Sequence, residues 1–416
     1  MTTADLHPRL EATDPVSGAR HEGVHQVSYD INTPPILRFG AGTVDSIGEL
    51  LASLGSTRPL VVTDGFLVSV GVADRVTDAL RASGTEPAVF DGTIPDPTTD
   101  SLEAGLAAIK AHDADSLVAL GGGSPIDTAK ALSVLAVRGG TMRELKAPFQ
   151  FTGPALPVIA VPTTAGTGSE VTQFTIITDS ETNEKMLCAG PGYLAKAAIV
   201  DYELTVSMPP RLTADTGIDA LTHAIEAYVS RKANPVSDTY ALAAIGRIGA
   251  FLRRAYKDGG DTEARDEMMT AATLAGLAFS NASVALVHGM SRPLGAHFGV
   301  AHGMANAMLF PEITAFSVEH ATGRYATCAR TLGVADDQMT DASAAAALVA
   351  ELRTLAVELE VPTPATRGVE RADWDALVPV MAQQALASGS PNNNPRVPTQ
   401  AEVESLYAAI YAPTAG

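Results

Sequence analysis

SLVALGGGSPIDTAKALSVLAV, residues 116–137, is the stretch whose reading decides the fold. Its opening residues form a short apolar run with no polar alternation, as in a strand covered on both faces. Three glycines follow, and then a helical pattern. Glycine lets a backbone come close to an anion, and the first turn of a helix offers unpaired N–H groups to phosphate oxygens. Ser124, Pro125 and Asp127 are read as N-cap, N1 and N3 of that helix, a close relative of the capping box. Two readings stand at this point: a phosphate cradle, or a tight strand-to-helix connection with a good cap. The stretch lacks the G-x-G-x-x-G pattern, so that fingerprint does not apply.

Working outward, PLVVTD (59–64), AVFD (88–91) and PVIAVP (157–162) are further strand-like runs. Helical patterns at 72–82 and 99–112 lie between them. Strand alternating with helix implies a parallel sheet covered on both faces. A second loop of small residues, VPTTAGTGSEVT (161–172), follows the last of these strands. It offers the hydroxyls of Thr163, Thr164 and Thr167 and the backbone at Gly166 and Gly168. Two such loops at strand ends of one parallel sheet converge on the edge where ligands bind, which strengthens the dinucleotide reading. Asp64 ends the first strand. It is either a carboxylate for a ribose 2′-OH or an ordinary Asp-Gly turn, and the residues alone favour the turn.

After about Ser207 the strand signal stops and helical segments run on, at 208–230, 240–256 and 266–282 among others. The expected organisation is a flexible arm at 1–28, an α/β domain with a Rossmann-like parallel sheet at 29–206, and an all-α domain at 207–416. SGSPNNNPRVPT (388–399) is a Pro/Asn-rich loop inside the helical half. The chain carries 28 Lys and Arg against 47 Asp and Glu, a net charge of −19. That balance repels nucleic acid and anionic lipid, so neither is an expected partner. Only Cys188 and Cys328 occur, with no CxxC, which fits a reducing compartment. No secretory signal, transit peptide or membrane-length apolar run is apparent, and a cytoplasmic location is expected.

In TGIDALTHAIEAYVS (216–230), Asp219 and His223 stand four apart, on one face of a helix about a turn from each other. A solvated polar stripe would explain that pair by itself. The segment 287–308, VHGMSRPLGAHFGVAHGMANAM, adds His288, His297 and His302 in apolar, glycine-rich surroundings. Three imidazoles and a carboxylate suit a divalent first-row metal, iron or zinc. Counting alone leaves open which histidine is spare.

GGGSPIDTAK, PTTAGTGSE, GIDALTHAIEAY and VHGM…PLGA…AHG, taken in order from about Ile36 to Tyr411, resemble the iron-containing alcohol dehydrogenases, the lactaldehyde/propanediol reductase branch above all. The resemblance implies a dehydroquinate synthase-like architecture and an NAD(H)-linked, metal-dependent oxidoreductase interconverting an alcohol with an aldehyde or ketone. It implies metal ligands Asp219, His223, His288 and His302, leaving His297 as the spare. It places the cofactor on Gly122, Gly123, Ser124, Asp127, Thr163, Thr164, Thr167 and Lys185. Asp64 falls where NAD-preferring members carry an aspartate, which reverses the reading from the residues alone. A homodimer or higher homo-oligomer is expected. One position departs: where propanediol reductases have a substrate-side histidine, four residues after the VHG histidine, this chain has Arg292. Its planar fork suits an anionic substrate group, or else it pairs with a structural carboxylate or a cofactor phosphate. Glycerol dehydrogenase-like and hydroxyacid-oxoacid transhydrogenase-like enzymes are the alternatives, with a nucleotide-binding regulator or filament subunit as the non-enzyme one.

Overall fold

The computed structural model describes residues 28–412. The arm expected at 1–28 therefore lies outside the described residues, apart from Ser28. Among the described residues eight strands are present: β1 (Ile36–Phe39), β2 (Pro59–Val62), β3 (Ala88–Phe90), β4 (Ser116–Gly121), β5 (Val158–Pro162), β6 (Phe174–Thr178), β7 (Lys185–Ala189) and β8 (Ala197–Val200). Six form one parallel sheet in the order β1-β8-β5-β4-β2-β3, while β6 and β7 pair as a separate antiparallel hairpin.

The unbroken apolar strands have a direct cause. Leu117 and Ala119 of β4 face a core with Leu102 and Ile109 of α4 (Ser101–His112) and Leu132 of α5 (Gly123–Arg138). Their neighbours Val118 and Leu120 face the opposite core, with Ile47 and Leu51 of α1 (Ile47–Ser53) and Val76 and Leu80 of α3 (Val72–Ala82). With both faces buried, period-2 alternation has no solvent side to produce. β4 pairs with β5, register Gly121↔Pro162, so the two glycine- and threonine-rich loops leave the sheet side by side. β2 lies on the other flank of β4. The chain runs outward from β2 to β3 and then returns to β4, making the β2/β4 boundary a switch point where ligands collect. The remaining helix of this half, α2 (Gly65–Ser69), follows β2 at that edge.

The helical half comprises α6 (Pro210–Val229), α7 (Pro235–Lys257), α8 (Thr262–Ala282), α9 (Leu286–Phe298), α10 (His302–Ser317), α11 (Thr322–Leu332), α12 (Asp341–Glu358), α13 (Arg371–Ala387) and α14 (Gln400–Ile410). Helix α6 is central: every residue from Thr213 to Val229 is buried. A helix buried all round has no solvated stripe, which removes that explanation of Asp219 and His223. The two halves meet through glycines of the threonine-rich loop. A Cβ on Gly166 would lie 2.5 Å from Thr216 of α6, and one on Gly168 would lie 2.5 Å from the Cα of Gly276 in α8. These glycines therefore serve close helix packing. Among the described residues no single helix is long and apolar enough to cross a membrane; α8 and α9 pass the composition test only as a pair bent by 104°.

Candidate metal centre and cofactor cleft

Helix α6 carries Asp219 and His223, α9 carries His288, and His302 opens α10. One ligand atom from each lies within 4.8 Å of all the others. Asp219 Oδ1 is 3.9 Å from His223 Nδ1, 3.6 Å from His288 Nε2 and 3.8 Å from His302 Nε2. Asp219, His223 and His288 are buried, whereas His302 keeps part of its surface toward the cleft. The His223 ring stacks on Phe279 at 4.1 Å and on His288 at 4.4 Å. Burial pushes His223 down to about 3 and His302 down to about 4, so both present neutral imidazoles at pH 7. Burial opposes ionisation of Asp219, but the surrounding histidines outweigh it and hold the carboxyl well below the usual range.

Two residues that sequence reasoning did not single out complete the cluster. Glu226, one turn beyond His223 on α6, accepts from the backbone N–H groups of Ala285 (2.9 Å) and Val287 (2.6 Å) and lies 2.6 Å from His288 Nδ1. Burial works against a charged His288, and the Glu226 carboxylate overrides it, raising the imidazole above its ordinary value. A proton kept on Nδ1 leaves Nε2 as the inward ligand atom. The signal was available: Glu226 is three residues after His223 and seven after Asp219, on the same helix face. Asn306, four residues after His302, points its Nδ2 at Asp219 Oδ1 (2.6 Å), His288 Nε2 (3.1 Å) and His302 Nε2 (3.2 Å). Its Oδ1 is buried without a partner, as is His223 Nδ1. Convergent lone pairs meeting a single amide, with two orphaned polar atoms beside them, fit a divalent cation.

One continuous cavity joins this cluster to the sheet edge, with Gly123, Ser124, Asp127, Thr167 and Lys185 at its far side. Gly122, Thr163 and Thr164 lie behind that wall. Thr163 N donates to Gly121 O, and a Cβ on Gly122 would meet Thr164 at 3.3 Å. The capping-box expectation is corrected here. Gly122 is the N-cap, with no side-chain cap, so Ser124 and Asp127 lie inside α5. Asp127 turns to the neighbouring loop, accepting from Ser169 Oγ (2.6 Å) and Ile176 N (3.0 Å). Lys130, one turn further along α5, is fully buried and pins the same loop by donating to the carbonyls of Ser169, Thr172 and Phe174. Asp64 is half-buried at the end of β2, where its side chain accepts from Leu67 N at 2.9 Å and caps α2. It is not among the cavity-lining residues.

At the metal-ligand end the cavity is closed by Phe279, Ser283, Val284, Arg292 and Ser390. Ser283 adopts φ 65° and ψ 162°, a backbone conformation strained for a residue with a side chain. Asn393 holds it there, donating to Ser283 Oγ (3.0 Å) and Val284 O (2.9 Å). The Pro/Asn-rich stretch thus returns to the site as a short 3-10 turn, Ser390–Asn393, and is no mere connection. His297 faces away from the cluster, its Nε2 2.8 Å from Gln384 Oε1 of α13.

Comparison with known proteins identifies the family. Residues 34–202 match the family described as iron-containing alcohol dehydrogenase, and residues 213–411 match the C-terminal part of the Fe-containing alcohol dehydrogenase family. The chain is 36% identical to the NAD-dependent methanol dehydrogenase of Bacillus methanolicus, over 90% of this chain and 97% of that one. It is 37% identical to the lactaldehyde reductase of Escherichia coli K12, over 89% and 96%. A crystal structure of 1,3-propanediol oxidoreductase superposes with a TM-score of 0.89 at 34% identity, covering 92% of this chain and all (100%) of that one. The fold is that of an oxidoreductase family whose matched members are named as alcohol dehydrogenases and aldehyde reductases. The chain belongs to the iron-containing alcohol dehydrogenase family.

Proposed function

We propose that this chain interconverts a small alcohol and its aldehyde or ketone with NAD(H), at a divalent metal held by Asp219, His223, His288 and His302. The observation that carries the reading is the single cavity running from Gly123, Ser124 and Lys185 to that ligand set. When bound, an iron or zinc ion there supplies Lewis-acid polarisation of the alcohol or carbonyl oxygen, and a nicotinamide ring gives or accepts the hydride. The protein's part is positioning. Glu226 fixes the His288 ring, and the stacked Phe279 fixes the His223 ring. Phe279 and Val284 keep the wall apolar, so charge differences near the reacting carbon are screened little by water. At the other end, the first turn of α5 offers its backbone N–H groups to the cofactor's phosphates, with Gly122, Thr163 and Thr164 shaping the turn from behind and Thr167 and Asp127 lining it. Lys185 reaches over Gly295 of α9, where it also pairs with Asp96 at 2.8 Å.

Asp64, beside the switch point, supports NAD over NADP because a carboxylate there repels a 2′-phosphate. Division into an α/β domain at 29–206 and an all-helical domain at 207–416 is supported by cores drawn mainly from one half each, although Ala165 and Val200 join the helical core and Leu277 joins a sheet core. A homo-oligomer is supported by the edge of β1, which pairs with no further strand among the described residues and where Phe39 is 41% exposed. The net charge of −19 supports the absence of nucleic acid and anionic membrane partners, and the two free, buried thiols support a cytoplasmic setting. The test is NADH oxidation against a panel of short aldehydes and keto compounds, with metal content measured on the same preparation. Turnover that rises with metal loading is expected; full turnover after complete metal removal contradicts the reading.

A further inference from the structure

Arg292 and Arg265 are the informative contrast. Arg265 is buried without a carboxylate partner, yet its guanidinium donates to Gly259 O (3.0 Å), Thr213 Oγ1 (2.8 Å) and Met208 O (3.1 Å). It is a structural arginine, with each of its three nitrogens donating one hydrogen bond. Arg292 has one such partner, Ser390 Oγ at 3.1 Å, and forms no ion pair among the described residues. Its remaining surface opens on the cavity. Burial pushes the guanidinium below its ordinary value, and the one carboxylate opposing this, Glu226, is already engaged by His288 and two backbone amides. A half-buried cation on the cavity wall, with one of its five N–H donors met by the protein, is a site for an anion.

Position separates the candidate anions. Arg292 sits one helical turn after His288 on α9, at the metal-ligand end of the cavity, while the cofactor's phosphates are read to the glycine turn at the other end. One turn corresponds to roughly 5–6 Å between side-chain origins.

We propose that Arg292, steered by Ser390, receives an oxyanion carried by the substrate, and that the preferred substrate is a short carbonyl compound with an acidic group within about one helical turn of its carbonyl oxygen. This rests on the reading of the cavity as an oxidoreductase's substrate site. A planar carboxylate and a tetrahedral sulfonate both offer two oxygens at the spacing of the guanidinium fork.

The test uses the metal-loaded enzyme with NADH. 4-Oxobutanoate is compared with its neutral methyl ester, and 2-oxoethanesulfonate with propanal, in the parent chain, Arg292→Met and Arg292→Lys. The parent should favour at least one anion over its neutral partner by roughly ten- to a hundredfold in kcat/KM. Which pair shows it distinguishes the carboxylate from the sulfonate. Arg292→Met should abolish that preference, chiefly through the KM of the anion, so that the anion-to-neutral ratio of kcat/KM falls to about one. Arg292→Lys should keep part of the preference, because it keeps charge without the fork. An equal loss on both members of each pair, or a parent enzyme with no preference for either anion, overturns the proposal. If Arg292→Met does not fold, an unchanged ratio in Arg292→Lys overturns it equally. Turnover of neutral aldehydes without anion preference sinks this inference alone; no NADH-dependent turnover of any substrate sinks the functional reading with it.

Discussion

Glu226 and His288 face each other at 2.6 Å, carboxylate oxygen to Nδ1, with His288 lining the cavity and Glu226 behind it. The same carboxylate also receives the two backbone N–H groups that open α9, so one side chain sets both the helix entry and the imidazole's orientation. Glu226→Gln keeps the shape but replaces a charged acceptor with a neutral amide. Metal affinity should fall about ten- to a hundredfold, with the far-UV spectrum unchanged. Chelator competition measures it, and an unchanged dissociation constant would show that Glu226 serves only the backbone.

Protons should leave when metal binds. His288 is held above its ordinary value by Glu226, whereas His223 and His302 are pushed down to about 3 and 4. A ligand must be free of its second proton to bind a cation. Near and below neutral pH, His288 therefore competes with metal, and affinity should fall by about tenfold per pH unit below its own pKa. The other two histidines add to that slope only on approach to pH 4. Calorimetry in two buffers of different ionisation enthalpy should report about one proton released per metal at mildly acidic pH. A release of two or three would mean that His223 or His302 is charged in the metal-free protein.

Asp64 serves two interests that a single substitution separates. Asp64→Gly removes the carboxylate proposed to repel a 2′-phosphate, so the NADPH/NADH ratio of kcat/KM should rise by at least about tenfold, the scale of one lost charge contact. Loss of the α2 cap should cost only a few tenths of a kcal/mol, because glycine is a tolerated N-cap. An unchanged cofactor ratio with this small loss of stability would leave Asp64 as a cap and nothing more.

The sheet was legible because its central strands are buried on both faces, and that leaves short unbroken apolar runs at 59–62, 116–121 and 158–162. Strands β1 and β8 were not legible. Each is four residues long; Arg38 breaks the apolar run of β1, and β8 is half alanine, a residue that reads as helix. The hairpin β6–β7 carries its half-buried alternation beside the polar 179–184 turn and resembles loop. In the site, the histidines stand out because only nine serve the whole chain, and the glycines because three follow a strand in a row. Glu226 and Asn306 do not, since such residues on helices ordinarily face solvent, and only tertiary burial turns them inward. Ser390 and Asn393 lie about a hundred residues from the helices they serve, and no local pattern records that contact.

Metal stoichiometry in three proteins tests the central claim most directly: the parent chain, His288→Ala and His297→Ala, each measured with NADH binding as evidence that the sheet half has folded. The account predicts about one divalent iron or zinc per chain in the parent and in His297→Ala, as a four-ligand site holds one ion. It predicts almost none in His288→Ala, with NADH still bound. Full metal occupancy in His288→Ala, or its loss in His297→Ala, would contradict the ligand set on which the functional reading stands.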